Sequence, residues 1–354
     1  MKILDRYIGR AIIFSTLVVS AIIVGIQSFL SLIAQFHFVG QQHYSMVRAL
    51  VFVLMQIPAQ FYQLFPIAGF LGALIGLSRL SSSSQLIVMR ASGVSIIRMM
   101  GSVIKTAFLM IIIVTAIGEG IGPVWQQASA LMQQNALYPP QNNALLNSIW
   151  LHQGKSYTHI GELTNQDEML DITRYHFGSN GRLENATAAE SGELSQGQWT
   201  LSHLKETIFE NQRIEIKKEQ EAGMHLVFQP ELQIEMKTVS GEQTLQALYQ
   251  TIRYRNAVGL GVSHYVFTFW QRLLQPITSL VLIGLAVPFV FGSFRSATTG
   301  LRLLAGVLIG FSFYMLNQLF GPITLIYQFP PLLAAIIPTV LFLLIAVILL
   351  LGKK

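Results

Sequence analysis

SSSSQLIVMRASGVSIIR, residues 81–98, is a short basic insert between two long apolar runs. It carries the punctuation of a small helix. Four serines offer N-cap hydroxyls, Gln85 to Ala91 supply the turns, and Gly93 can take the left-handed conformation that ends a helix. Ser95 can then cap whatever follows. Leu86, Met89 and Arg90 stand at helical i, i+3, i+4 spacing, which gives an apolar edge with a charged end. That pattern predicts a docking surface facing the cytosol, with membrane spans on either side of it.

Composition agrees. The 354 residues are 52% hydrophobic and only 11% charged, against roughly 25% charged in an ordinary soluble domain. An integral membrane protein follows, because about 20 apolar helical residues cross a bilayer core of about 30 Å and several runs reach that length. The net charge of +6 hides a division. Fifteen of the 17 acidic residues lie between Glu162 and Glu242, and Asp5 and Glu119 are the other two. The basic balance of the apolar portion therefore speaks for membrane topology and not for nucleic acid. Cysteine is absent, which excludes disulfides and cysteine-based metal or redox sites. Lys2, Arg6 and Arg10 precede an apolar run without a small-x-small cleavage site, so a retained first span is expected.

Six apolar runs are legible, at residues 11–36, 46–77, 99–123, 264–291, 303–320 and 332–351. Pro58 and Pro66 predict a kinked second span. Between the third and fourth runs the pattern changes to short alternating segments, at 156–160, 170–177, 198–204, 213–217 and 225–236. Ser179-Asn180-Gly181 is a turn signal there, and Gly192 and Gly197 read as further breaks. Seven or more short strands in a sandwich or barrel-like sheet are expected. Ser240 to Gln243 matches the capping box S-x-x-Q ahead of Leu245, Leu248, Tyr249 and Ile252 at helical spacing. The chain thus divides into spans 1–3 with the small helix (1–124, helix at about 82–98), a β segment (125–240), an amphipathic connecting helix (241–262) and spans 4–6 (263–354). The fold class is an α-helical integral membrane protein with six transmembrane helices and an inserted all-β domain. Eleven Lys and Arg against one acid, Asp5, fall on the side of the 81–98 insert and both termini. That side is the cytosolic one by the positive-inside rule.

Enzymatic signals are lacking. No G-x-x-x-x-G-K-[ST] phosphate loop, H-E-x-x-H or G-x-S-x-G occurs, and the eight histidines are scattered. No catalytic, metal or cofactor residue is predicted in this chain. Glu119 and Arg272 are ionisable residues in apolar surroundings, where a charge costs about 2.5–3.5 kcal/mol at mid-membrane. Two readings stay open: an ion pair, or separate places at the interface as the default. Ala68-Gly72-Gly76 and Gly306-Gly310 permit close helix approach, with internal packing as the default and an intersubunit surface or lateral gate as the alternative.

Local motifs carry a resemblance. They are Leu4-Asp5-Arg6-Tyr7-Ile8-Gly9 at the start, Ala116-Ile117-Gly118-Glu119 in the third span, Phe320-Gly321-Pro322 with Pro330-Pro331 near the end, and Leu86 to Gly93 in the small helix. With six spans and a β insertion after the third, the chain resembles the lipopolysaccharide-export permeases LptF and LptG, more nearly LptG, over essentially its whole length. The resemblance implies a permease subunit of an ABC transporter in the bacterial inner membrane, with both termini cytoplasmic and a jellyroll-like β domain in the periplasm. It implies an LptF-like partner permease, an LptB-like ATPase dimer that binds the ATP, LptC- and LptA-like jellyroll proteins, and lipopolysaccharide as cargo. By the same resemblance Ser84, Gln85, Leu86, Met89, Arg90, Ala91 and Gly93 belong to the ATPase-coupling helix. Two departures stand out. Gln85 occupies a place where the family usually has an acid, and both Gln35 to Gly40 (QFHFVG) after the first span and Gln126 to Leu137 lack the Lys and Arg that LptG proteins can carry there, leaving His37, His43 and Arg48. A permease for another lipid or lipoprotein, and a non-transporting assembly scaffold, remain the competing readings.

Overall fold

The computed structural model describes residues 3–137, 144–164, 168–178, 181–195, 198–210, 213–224, 244–257, 261–291 and 298–351. Helices α1 (Ile3–Gln35), α2 (Met46–Ser82), α3 (Gln85–Ala91), α4 (Ile96–Gly120) and α5 (Gly122–Leu137) come first. Strands β1 (Ala144–Gln153), β2 (Ser156–Thr164), β3 (Glu168–Phe177), β4 (Leu183–Ser195), β5 (Gln198–Glu210) and β6 (Arg213–Met224) follow. Helices α6 (Leu245–Ala257), α7 (Ser263–Phe291), α8 (Thr299–Ile326) and α9 (Pro331–Leu351) complete the described chain. Among the described residues six helical stretches are long and apolar enough to cross a membrane: α1, α2, α4 with α5, α7, α8 and α9. The fold class read from the sequence holds, with an all-β segment inserted after the third stretch.

The helical unit is organised around α2, which packs against α1, α4, α7 and α8. It can sit in the centre because its neighbours approach through small residues. A Cβ on Gly72 would lie 2.4 Å from the Thr16 Cα, and one on Gly76 would lie 3.0 Å from the Ala11 carbonyl oxygen. Gly72 meeting Thr16 and Gly76 meeting Ala11 sets α1 antiparallel to α2. Phe70, Ala73, Leu74 and Leu77 of α2 are fully buried with Leu282, Leu285 and Phe289 of α7 in one continuous core. The outward faces of α1, α8 and α9 carry large exposed apolar side chains, as a lipid or protein-facing surface requires.

Several boundaries differ from expectation. Helix α2 runs on to Ser82, past the end of its apolar run at 77, and holds Pro58 and Pro66 inside one span, as expected of a proline-bearing helix. The Tyr62 carbonyl, four residues before Pro66 and deprived of its helical donor, accepts a hydrogen bond from Gln275 Nε2 of α7 at 2.6 Å. The break near Pro123 is a single turn at Ile121, after which α5 continues helical to Leu137, beyond the end of the third apolar run. Helix α8 likewise runs through Gly321 and Pro322 to Ile326. Pro331 takes the first position of α9, where its missing N–H costs nothing. Helix α6 begins with Thr244 Oγ1 accepting the Ala247 N–H at 3.1 Å. The capping box at 240–243 lies outside the described residues, as does the strand expected at 225–236.

The second unit holds the sheet. Among the described residues six strands pair antiparallel in chain order, β1-β2-β3-β4-β5-β6, an up-and-down meander. They run 9 to 13 residues each, longer than the segments read from alternation. Two irregularities explain why alternation faded. Asp171 and His203 have positive φ, 54° and 56°, and each lets residues three apart face the same side. Met169 with Ile172, and Leu201 with Leu204, are all buried as a result. Gly192 is no break. It lies inside β4, where a Cβ would come within 2.7 Å of Leu201 Cδ2 and 2.9 Å of Ile172 Cδ1.

Candidate functional site

At one end of the helical unit, α3 hangs between α2 and α4. The serines before it do not cap it. Ser82 Oγ donates to the Arg79 carbonyl at 3.0 Å, and Ser83 Oγ donates to the same carbonyl at 2.9 Å, so both close the last turn of α2. Ser84 has φ 59°, and no side-chain cap bond forms. A cap needs extended backbone at that residue, and a two-residue link between helices forces a left-handed one instead. The exit follows expectation. Gly93 has φ 90°, Val94 N–H donates to the Met89 carbonyl at 3.1 Å, and Ser95 Oγ accepts the Arg98 N–H at 3.2 Å to start α4.

The edge expected to dock points inward. Leu86 is 2% exposed and sits in the core with Leu80, Met99 and Val103, and Met89 packs against the same cluster. Gln85 Oε1 accepts the Tyr7 hydroxyl of α1 at 2.8 Å. What faces outward is Ser84, Val88, Arg90, Ala91 and Gly93, with Val88 65% exposed. Nearby, Asp5 of α1 is almost fully buried and accepts Ser102 Oγ at 2.5 Å. Arg98 Nη2 lies 3.3 Å from one Asp5 oxygen and Lys105 Nζ 3.8 Å from the other. The start of α1 is thereby locked to α4 beside α3. Sequence reasoning noted Asp5 as the lone acid on the basic side but did not assign it a partner, although that isolation was the signal.

The second locus lies inside the bundle. Glu119, in the last turn of α4, places Oε1 2.8 Å from Arg272 Nε of α7, with the side chains 20% and 7% exposed. The contact is an ion pair whose direction departs from an aligned hydrogen bond at Oε1. Glu119 Oε2 accepts the Leu245 N–H at 3.3 Å, a carboxylate on the first turn of α6. The Arg272 guanidinium carbon stands 5.9 Å from the Tyr62 ring centroid, within cation–π range. Beside them is a cavity of about 160 Å³ of mixed lining, with Gln63, Arg272, Gln275, Asn317 and Gln318 among its polar side chains and Ile67 and Phe313 among its apolar ones. At about 30 Å³ per water, a cavity of this size has room for several waters beside the pair.

The small residues serve internal packing. Gly72 and Gly76 seat α1, as above, while Gly306 faces Leu74 and Gly310 faces Ile67 of α2. At the opposite end from α3, Gln35 Oε1 accepts both Tyr44 Oη and Gln133 Nε2 at 2.8 Å, joining α1, the α1–α2 loop and α5 without a charge. Burial pushes the Tyr44 phenol above its ordinary pKa. The Arg48 side chain donates to the His43 carbonyl.

The family described as lipopolysaccharide export system permease LptF/LptG matches residues 6–352. The chain belongs to this family. It is 28% identical over 355 residues, 99% of each chain, to the lipopolysaccharide export system permease protein LptG of Escherichia coli strain K12. It is 29% identical over 341 residues, 96% of this chain and 95% of the other, to the protein of the same name from Haemophilus influenzae. Membership of the LptF/LptG family makes it a transport subunit and not an enzyme. The motifs that carried the resemblance also carry contacts: Asp5 and Tyr7 hold the α3 end, and Glu119 holds the ion pair.

Proposed function

We propose that the chain is the LptG-type permease subunit of an ABC transporter that extracts lipopolysaccharide from the inner membrane. It pairs with an LptF-like permease, and an LptB-like ATPase dimer binds and hydrolyses the ATP. The observation that carries this reading is α3 itself. In a chain of the export-permease family, a seven-residue helix is pinned from inside by Leu86 and by the Tyr7–Gln85 bond while Val88, Arg90 and Ala91 stay exposed. Such a helix moves with the spans it connects, so a push on its outer face reaches α2 and α4 together. The basic charge of this end supports the cytoplasmic side for it, and with that side a reading with both termini inside and the β segment in the periplasm.

The β segment would extend the path. Among the described residues β1 and β6 are the outermost strands, and an open strand edge is where another β domain adds by backbone pairing. A jellyroll bridge with LptC- and LptA-like proteins uses such edges. The test is reconstitution of the chain with its partner permease and ATPase in proteoliposomes loaded with lipopolysaccharide. ATP-dependent release of lipopolysaccharide to a soluble β-jellyroll acceptor is expected. Release of a different lipid in its place, or none with an ATPase that assembles and turns over, would reject the assignment.

A further inference from the structure

The α3 end also contains a groove of about 1220 Å³ that the export reading does not use. Arg6, Arg10, Phe14 and Leu17 recur at three- and four-residue spacing on the outward face of α1, and all four are exposed. Arg79, from the last turn of α2, and Leu109 of α4 complete the groove on its two flanks. Polarity thus changes along a single helix face, from two guanidiniums in the first turns to an aromatic and an aliphatic side chain one and two turns deeper. A phospholipid has that profile, headgroup first and acyl chain after it.

Charge favours an anion. Among the described residues Arg6, Arg10 and Arg79 enter no ion pair. The one carboxylate that borders the groove, Asp5, is already engaged by Arg98, Lys105 and Ser102. Ser82 and Ser83 stand on the rim with their hydroxyls donated to the Arg79 carbonyl, so the arginines alone supply donors there, and Gln85, the first residue of α3, lies on the wall. Topology alone would scatter arginines at a cytosolic end. It would not gather three of them over an open apolar wall with the neighbouring acid already neutralised.

We infer that this groove is a binding site for an anionic phospholipid of the cytosolic leaflet, held by Arg6, Arg10 and Arg79 at its phosphate and by Phe14, Leu17 and Leu109 along its acyl chain. The inference rests on the orientation proposed above. Basic pockets between spans on the cytoplasmic face are a known mode of lipid headgroup recognition, and each basic side chain near an anionic surface strengthens attraction about fivefold. Because the occupant touches Gln85, it borders the bond that Tyr7 makes to α3.

The test uses the intact complex, permeases with ATPase, titrated in detergent with phosphatidylglycerol or with phosphatidylcholine of the same chains, and bound lipid counted by native mass spectrometry. Preferential retention of phosphatidylglycerol is expected, and the double variant Arg10→Gln, Arg79→Gln should lose about 25-fold of that preference. A charge-retaining Arg10→Lys, Arg79→Lys variant controls for assembly and should keep most of it. Equal retention of both lipids overturns the inference, and is the result if a partner protein covers the groove. An unchanged preference in the glutamine variant, equal loss in the lysine variant, or displacement of the lipid by millimolar inorganic phosphate also overturns it. Labelling of single cysteines placed at each end of the cysteine-free chain reads the orientation separately, so failure of the lipid site and failure of the topology are distinguishable.

Discussion

Arg272 on α7 and Glu119 at the end of α4 form an ion pair with Nε 2.8 Å from Oε1, and the second Glu119 oxygen takes the Leu245 N–H at the start of α6. One carboxylate therefore ties together two spans and the helix that leads back from the β segment. The default expectation, that each residue sits separately at an interface, is replaced by the pair. Removing one partner leaves a charge in a low-dielectric bundle, which typically costs about 3–5 kcal/mol when fully buried. Glu119 is one-fifth exposed, so the lower end applies. Arg272→Met should lower the thermal stability of the purified protein strongly, and the exchange Glu119→Arg with Arg272→Glu should recover part of it. Recovery stays partial because an arginine at 119 cannot accept the Leu245 N–H. An exchange no better than the single variants would dismiss the pair as a stabilising contact.

Leu86 and Val88 separate seating from docking. Leu86→Asp buries a carboxylate in the core that holds α3 and should reduce both the amount of folded protein and ATP-driven export. Val88→Asp changes only an exposed position. Folded yield should be unchanged while assembly with the ATPase drops, measured by co-purification. Normal co-purification of the Val88 variant would exclude that face from the contact.

Gln85 need not meet the ATPase to matter. Its amide oxygen accepts the Tyr7 hydroxyl, and a carboxylate accepts the same bond more strongly. Gln85→Glu should be tolerated, whereas Tyr7→Phe removes the donor and should cost about 1 kcal/mol of local stability. Hydrogen exchange of α3 amides reads this directly, with faster exchange in Tyr7→Phe and not in Gln85→Glu.

Glycine substitutions distinguish contact from composition. A Cβ at Gly72 meets Thr16 backbone at 2.4 Å, while one at Gly25 meets nothing within 4 Å. Gly72→Val should destabilise by about 1–3 kcal/mol or more through overpacking, and Gly25→Val should leave detergent melting unchanged. Equal effects would contradict the α1–α2 packing.

The parts of the fold legible in the sequence were those set by composition over long runs or by the local requirement of a single residue. Apolar length gave the spans, and Gly93 and Ser95 gave the end of α3 and the start of α4, because each is a local conformational requirement. Direction of facing was harder. Leu86 and Met89 read as an outward edge because spacing fixes that residues share a face but not which way it turns, and the core from α2 and α4 claims it. Asp171 and His203 hid the strand pattern by shifting its phase in mid-strand. Proline and glycine misled at Pro123 and Pro322, where helices continued past them. The Glu119–Arg272 pair spans 153 positions of sequence, and only the apolar surroundings of each residue hinted at it.

The central claim is that the outer face of α3 receives the ATPase. A photocrosslinking amino acid at Val88, compared with one at Val47, an exposed residue at the other end of α2, in membranes containing the full complex, tests it most directly. The account predicts an ATPase crosslink from position 88 and none from 47. No ATPase crosslink from 88 in a complex that still exports lipopolysaccharide would contradict it.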